Sequence, residues 1–232
     1  MRAKLATFLS GLTLVAAMTR AEAQPVNPPS NDGSHPSALA LVILYDGSGS
    51  MANKVPNVRG EMTPKYVLAN HAIISITRKL EEYCTNKNVT VDAGLVYFKD
   101  AVVKTGIPFH RFEPKAFRDW AGAFRSPTGG TPLGEGIKEA TRMLAKTSAI
   151  KKHILIVTDG ESNQGEAPEA VVRRMKGQQD PTSVYFVAFD VSARVFNPVK
   201  QLGATVVSAA NELELNTQIE ALLGKKILLE AE

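Results

Sequence analysis

The chain contains one cysteine, Cys84, in 232 residues, so no intrachain disulfide can form and stability must come from packing. An inert thiol at the end of a helix accounts for it better than a catalytic one. With only four histidines besides, zinc is a poor candidate, since it selects His and Cys ligands. Beyond residue 23 no run approaches about 18 apolar residues, so nothing there is expected to fix the chain in a membrane. Neither sign of charge dominates. Residues 1–23 hold Arg2, Lys4, Arg20 and Glu22, and without them 24 bases face 22 acids, a net of +2 that argues against nucleic acid as a partner. A nucleotide-holding Gly-Lys-Ser/Thr loop is also missing.

What is present suits one globular domain: 44% hydrophobic and 22% charged residues are enough to bury a core and too few charges for disorder. The N-terminus has the form of a secretory signal. Arg2 and Lys4 precede a mostly apolar stretch from Leu5 to Met18, and Ala21-Glu22-Ala23 makes an A-x-A cleavage site before Gln24. No cysteine lies there to accept lipid. Residues 1–23 are therefore expected to be a signal peptide, 24–37 a Pro- and Ser-rich flexible leader, 38–224 the folded domain and 225–232 a tail. An exported protein follows, periplasmic or secreted, and the sparing use of cysteine points to a bacterial envelope.

From Leu39 the chain alternates buried-strand runs with helical periodicity. Leu39 to Tyr45, Val89 to Phe98, Ala101 to Ile107, His153 to Thr158, Val184 to Phe189 and Ala204 to Ser208 read as strands. Pro64 to Tyr83, Phe117 to Phe124, Gly134 to Lys146, Pro168 to Gln178, Ala193 to Leu202 and Asn211 to Leu223 read as helices. Lys99-Asp100 between two β-rich runs predicts a hairpin with an antiparallel edge strand. Strands that are apolar throughout require helices on both faces, so the fold class is α/β: a doubly wound, mostly parallel sheet. Such sheets bind ligands at the carboxyl ends of their strands.

Two of those ends carry acids, Asp46 after LVILY and Asp159 after HILIVT. In DGSGSM the alternation of Asp46, Ser48 and Ser50 with glycines lets three side chains converge on one point. A carboxylate with hydroxyls is a hard donor set suited to Mg²⁺ or Mn²⁺. An Asx-turn that merely caps the next helix would use the same residues.

DGSGSM after a buried strand, TGGTPLGEGI with Thr131 81 residues beyond Ser50, and LIVTDGE with Asp159 28 residues beyond Thr131 together resemble a von Willebrand factor type A domain. The final VKQLGATVVSAANELELNTQIEALL is similar to that family's last strand and helix, so the resemblance spans about residues 38–224. It implies that Asp46, Ser48, Ser50, Thr131 and Asp159 form a metal-ion-dependent adhesion site around one divalent ion, Mg²⁺ with Mn²⁺ or Ca²⁺ as alternatives. The hydroxyls would bind directly and the aspartates directly or through water. With two carboxylates against a dication, the ion would keep a place for an Asp or Glu carboxylate of a partner protein.

The expected function is therefore metal-dependent protein binding, adhesive or scaffolding. The alternative is a regulatory or assembly subunit of an envelope complex with a metal-linked switch in the last helix. A metal-dependent phosphoester hydrolase fits less well, because the three site segments supply no His, Lys or Arg to act as general acid. No enzymatic activity is expected. Lys54 and Arg59, in the long loop after Met51, are candidates for steering an acidic partner segment. Glu161, Thr128, His71, His153 and Trp120 read as structural or solvent-facing.

Overall fold

The computed structural model describes residues 37, 39–177 and 182–229. The expected signal peptide, nearly all of the expected leader and the last three residues lie outside them.

Strand β1, Leu39–Asp46, is buried along its whole length. Its alternate residues feed two cores: Leu39, Leu41, Ile43 and Tyr45 face one, Ala40, Val42 and Leu44 the other. That is why the run shows no polar alternation: a strand covered on both faces has no solvent side. A short hairpin follows, β2 (Lys54–Pro56) with β3 (Met62–Pro64), paired antiparallel as Lys54 to Pro64. Helix α1, Lys65–Lys87, then leads to β4 (Val91–Lys99) and β5 (Val102–Arg111). The turn between them, Asp100 and Ala101, is left-handed at both residues, the geometry a tight hairpin needs. Helices α2 (Pro114–Ala123) and α3 (Leu133–Leu144), strand β6 (Lys152–Thr158), α4 (Pro168–Lys176), β7 (Ser183–Phe189), α5 (Asn197–Gln201), β8 (Thr205–Ala209) and α6 (Glu212–Leu222) complete the order.

The described residues form a six-stranded sheet in the order β5-β4-β1-β6-β7-β8, parallel except for β5 at its edge. Helices α1, α2 and α6 pack on one face through Leu68, Ile73, Phe117, Leu215 and Ile219. Helices α3, α4 and α5 cover the other through Ile137, Ala140, Val172 and Val199. The doubly wound α/β architecture expected from the sequence is the one observed. Winding proceeds from β1 to β4 on one side and then to β6 on the other, so the carboxyl end of β1 lies at the switch point.

Three local features depart from the expected elements. The loop expected over 52–62 forms, together with Thr63 and Pro64, the β2–β3 hairpin, held by antiparallel pairing that its mixed polar composition does not advertise. The helix expected over 193–202 divides into a 3₁₀ turn, Ala193–Phe196, and α5, because Pro198 fits only the first turn of a helix. Packing continues past Leu222 in a wide helical turn, Leu223–Ile227, whose Ile227 is fully buried.

Candidate functional site

Asp46 is the last residue of β1 and is fully buried. Its Oδ1 accepts the Ser48 backbone N–H at 2.8 Å, the Asx geometry the pentapeptide suggested, and its Oδ2 accepts the Thr158 hydroxyl at 2.6 Å. Both hydrogen bonds favour the ionised form. Burial and the facing charge of Asp159 outweigh them and raise the Asp46 carboxyl from 3.8 to about 6.

A 3₁₀ turn over Gly49–Ala52 carries Ser50 back across the strand end. Ser48 Oγ and Ser50 Oγ lie 3.1 Å apart, and Ser50 Oγ donates to Asp159 Oδ1 at 2.7 Å. The side chains of 46, 48, 50 and 159 are thus linked in one oxygen cluster. Gly47 is required for close approach: a Cβ there would meet the Phe98 carbonyl at 2.4 Å. Beneath the cluster Tyr45 donates to Asn70 Oδ1 and stacks edge-on against Trp120 and Phe124, so Trp120 has a structural, packing role.

The glycine-rich loop closes the third side. Thr128 N donates to the Gly47 carbonyl and Gly49 N to the Gly129 carbonyl, both at 2.9 Å, which ties this loop to the first one. Thr131 N donates to Asn163 Oδ1 at 2.8 Å, while Thr131 O accepts from Asn163 N and the Ser162 hydroxyl, which ties it to the segment after β6. Thr131 is buried between the two, and its hydroxyl lies 3.8 Å from where a Cβ on Gly160 would sit. All five residues singled out in the sequence are therefore gathered at one end of β1 and β6.

Two charged groups join them from elsewhere. Lys65, the first residue of α1, is buried with its Nζ 2.6 Å from Asp159 Oδ2 and 3.2 Å from Asp190 Oδ2. The contact to Asp159 Oδ2 is ionic; that buried oxygen has no hydrogen-bond partner. The site does hold a lysine, contrary to what its three segments suggested, because α1 delivers it from outside them. Asp190 follows β7, and the strand-end rule that found Asp46 and Asp159 applies to it equally. Nothing local in the sequence marks Lys65. Lys54, Arg59 and Glu161 are exposed.

Among the described residues no three His, Cys, Asp or Glu side chains converge as a metal-ligating group. A cation here would have to lean on hydroxyls as much as on carboxylates. The donor chemistry fits a hard divalent ion: two buried carboxylates that repel each other, two hydroxyls hydrogen-bonded within their cluster, and a threonine fixed beside it.

The family model described as the von Willebrand factor type A domain matches residues 40–216. A Bacillus subtilis (strain 168) relative, "Uncharacterized protein YwmD", is 23% identical over 198 residues, covering 78% of this chain and 84% of its own. The PilB minor pilin from Streptococcus sanguinis superposes with a TM-score of 0.67 at 16% identity over 85% of this chain, which spans only 63% of the pilin. The pilus adhesin SpaC from Lactobacillus rhamnosus GG gives 0.63 at 12% identity, over 84% of this chain and 31% of the adhesin. With the family model covering most of the fold and the strand-end cluster at its expected place, the chain belongs to the von Willebrand factor type A domain family.

Proposed function

We propose that this domain binds another protein through a divalent cation held by Asp46, Ser48, Ser50, Thr131 and Asp159, Mg²⁺ being the ion the donors suit best. The observation that carries the reading is the convergence of those five residues at the switch point of the sheet. A cation there supplies a Lewis-acidic position for an Asp or Glu carboxylate of the partner. The chain's own part is to hold the donors: β1 and β6 fix the aspartates, the 3₁₀ turn fixes Ser50, and the backbone ties of 128–131 fix the threonine.

Binding rather than catalysis is favoured by the state of the one lysine in the site. Its ammonium is committed to Asp159 and Asp190, so it is not a free acid facing the cluster. The pilin and adhesin likenesses accord with an adhesive or scaffolding role on an exported protein. Among the described residues no helix is long and apolar enough to cross a membrane.

Affinity capture from an envelope extract, in Mg²⁺ or in EDTA, tests the proposal. The wild type should retain its partner only with Mg²⁺, and Thr131→Ala should lose it in both; equal recovery in the two buffers would overturn the reading. One observation favours a switching subunit as the second reading. Glu212, at the start of α6, accepts from Val58 N–H at 3.0 Å and pairs with His71 Nδ1 at 3.0 Å, joining the last helix to the hairpin and α1 beside the site. Under that reading amide exchange in α6 changes when partner binds.

A further inference from the structure

Lys65 stands where ordinary helix chemistry would not put it. A cation at the first position of a helix opposes the macrodipole, and a lysine whose side chain is only 4% exposed is costly to desolvate unless anions surround it. The fold supplies those anions and takes trouble to do so. The β2–β3 hairpin positions the helix start, with Lys65 N donating to the Asn53 carbonyl at 2.8 Å. Asp190 adopts a left-handed backbone (φ 55°), unusual outside glycine, with its N–H on the Ala209 carbonyl at 2.7 Å.

The result is that the two aspartates of the cluster are unlike. Asp46 is held by a backbone amide and a hydroxyl, both neutral. Asp159 is divided: Oδ1 takes the Ser50 hydroxyl inside the cluster, and Oδ2 turns to the Lys65 ammonium. Three carboxylates (46, 159, 190) and one ammonium (65) leave a formal charge of −2. Without Lys65 it would be −3.

Resting on the metal-binding reading above, we propose that Lys65 is a positioning residue that sets the balance of the site, weakening its hold on the cation and preserving the cation's attraction for an incoming carboxylate. By pinning Oδ2 of Asp159, Lys65 limits that side chain to one oxygen toward the cluster. Its charge also offsets one carboxylate, so a dication balances the site's formal −2 and is not over-neutralised by −3, which would repel an incoming carboxylate. Asp190 in turn moderates Lys65 by sharing its ammonium.

Three variants of the full chain test this: Lys65→Met, which keeps the apolar stem, Lys65→Arg, which keeps the charge, and Asp190→Asn, which changes a half-exposed side chain. Mn²⁺ affinity is read by calorimetry, and acetate binding to the Mn²⁺-loaded protein by water-proton relaxation. Even under water-like screening, with a dielectric of about 80, removing one charge a few ångströms from a dication should tighten Mn²⁺ at least about tenfold in Lys65→Met. Acetate should then bind at least about threefold more weakly to that variant. Lys65→Arg should track the wild type, and Asp190→Asn should loosen Mn²⁺ several-fold, the opposite direction. Equal or weaker Mn²⁺ binding by folded Lys65→Met overturns the proposal. Should that variant not fold, unchanged or tighter binding by Asp190→Asn does so instead. If the wild type binds Mn²⁺ and these shifts are absent, only the role of Lys65 falls; if wild type and all variants bind none, the metal reading falls with it.

Discussion

Asp46 and His153 sit at opposite ends of neighbouring strands, and burial shifts the titration of each toward its neutral form. The folded Asp46 carboxyl titrates near 6 and an unfolded one near 3.8, so the ion-free native state holds a proton between those values that the unfolded chain releases. Its contribution is present below about pH 4 and lost as pH rises through 6, a swing of about 3 kcal/mol. Asp46→Asn should therefore stabilise the protein in EDTA at pH 8, by about 1–3 kcal/mol, and do nothing at pH 4. Urea denaturation at the two pH values checks it. The same proton competes with a cation, so Mg²⁺ or Mn²⁺ affinity should fall as pH drops below 6, and Asp46→Asn should abolish it. His153 has the opposite sign. Burial, with help from Lys151, lowers its pKa from 6.5 to about 4, so the unfolded state takes the proton first and stability is lost as pH falls below 6.5. His153→Gln should remove that acid loss, worth at most about 3 kcal/mol, in the same urea series.

At the scale of elements, the approach of α3 to its neighbours decides where Thr131 sits. Gly134, in the first turn of α3, lies so close to the Glu166 carbonyl that a Cβ would stand 2.0 Å from it. Backbone cannot swing aside as a side chain can, so Gly134→Ala should cost about 3 kcal/mol or more by thermal unfolding. Because Thr131 enters the same helix, that variant should also weaken Mn²⁺ binding. Helix α6 is held to the hairpin by the buried Glu212 carboxylate, and Glu212→Ala should cost about 1–3 kcal/mol and speed amide exchange at Val58. The strands and the long helices were legible because hydrophobic period reports burial, and β1 and β6 are buried on both faces. The hairpin at 54–64 was not. Its strands are three residues long and bury only Val55, so no period develops.

At the scale of the whole molecule, Lys54 and Arg59 are exposed cations on the hairpin whose Asn53 end holds the start of α1. Reversing both charges should slow association with an acidic partner, most clearly at low salt, whereas an on-rate equal to the wild type in stopped-flow measurements would remove them from steering. The sequence by itself determined the doubly wound sheet and singled out the five oxygen-bearing residues that the fold gathers at the ends of β1 and β6. Both are written locally, in runs that match a strand or helix period and in short motifs after two strands and before one helix. Tertiary structure alone decided the charge of the site. Lys65 and Asp190 reach it from the start of α1 and the end of β7, brought within 3.2 Å by the winding of the sheet and by an irregular hairpin. No periodicity encodes a single ion pair between residues 125 positions apart, and the same separation in sequence is what lets the fold place a cation behind one aspartate and leave the other without one.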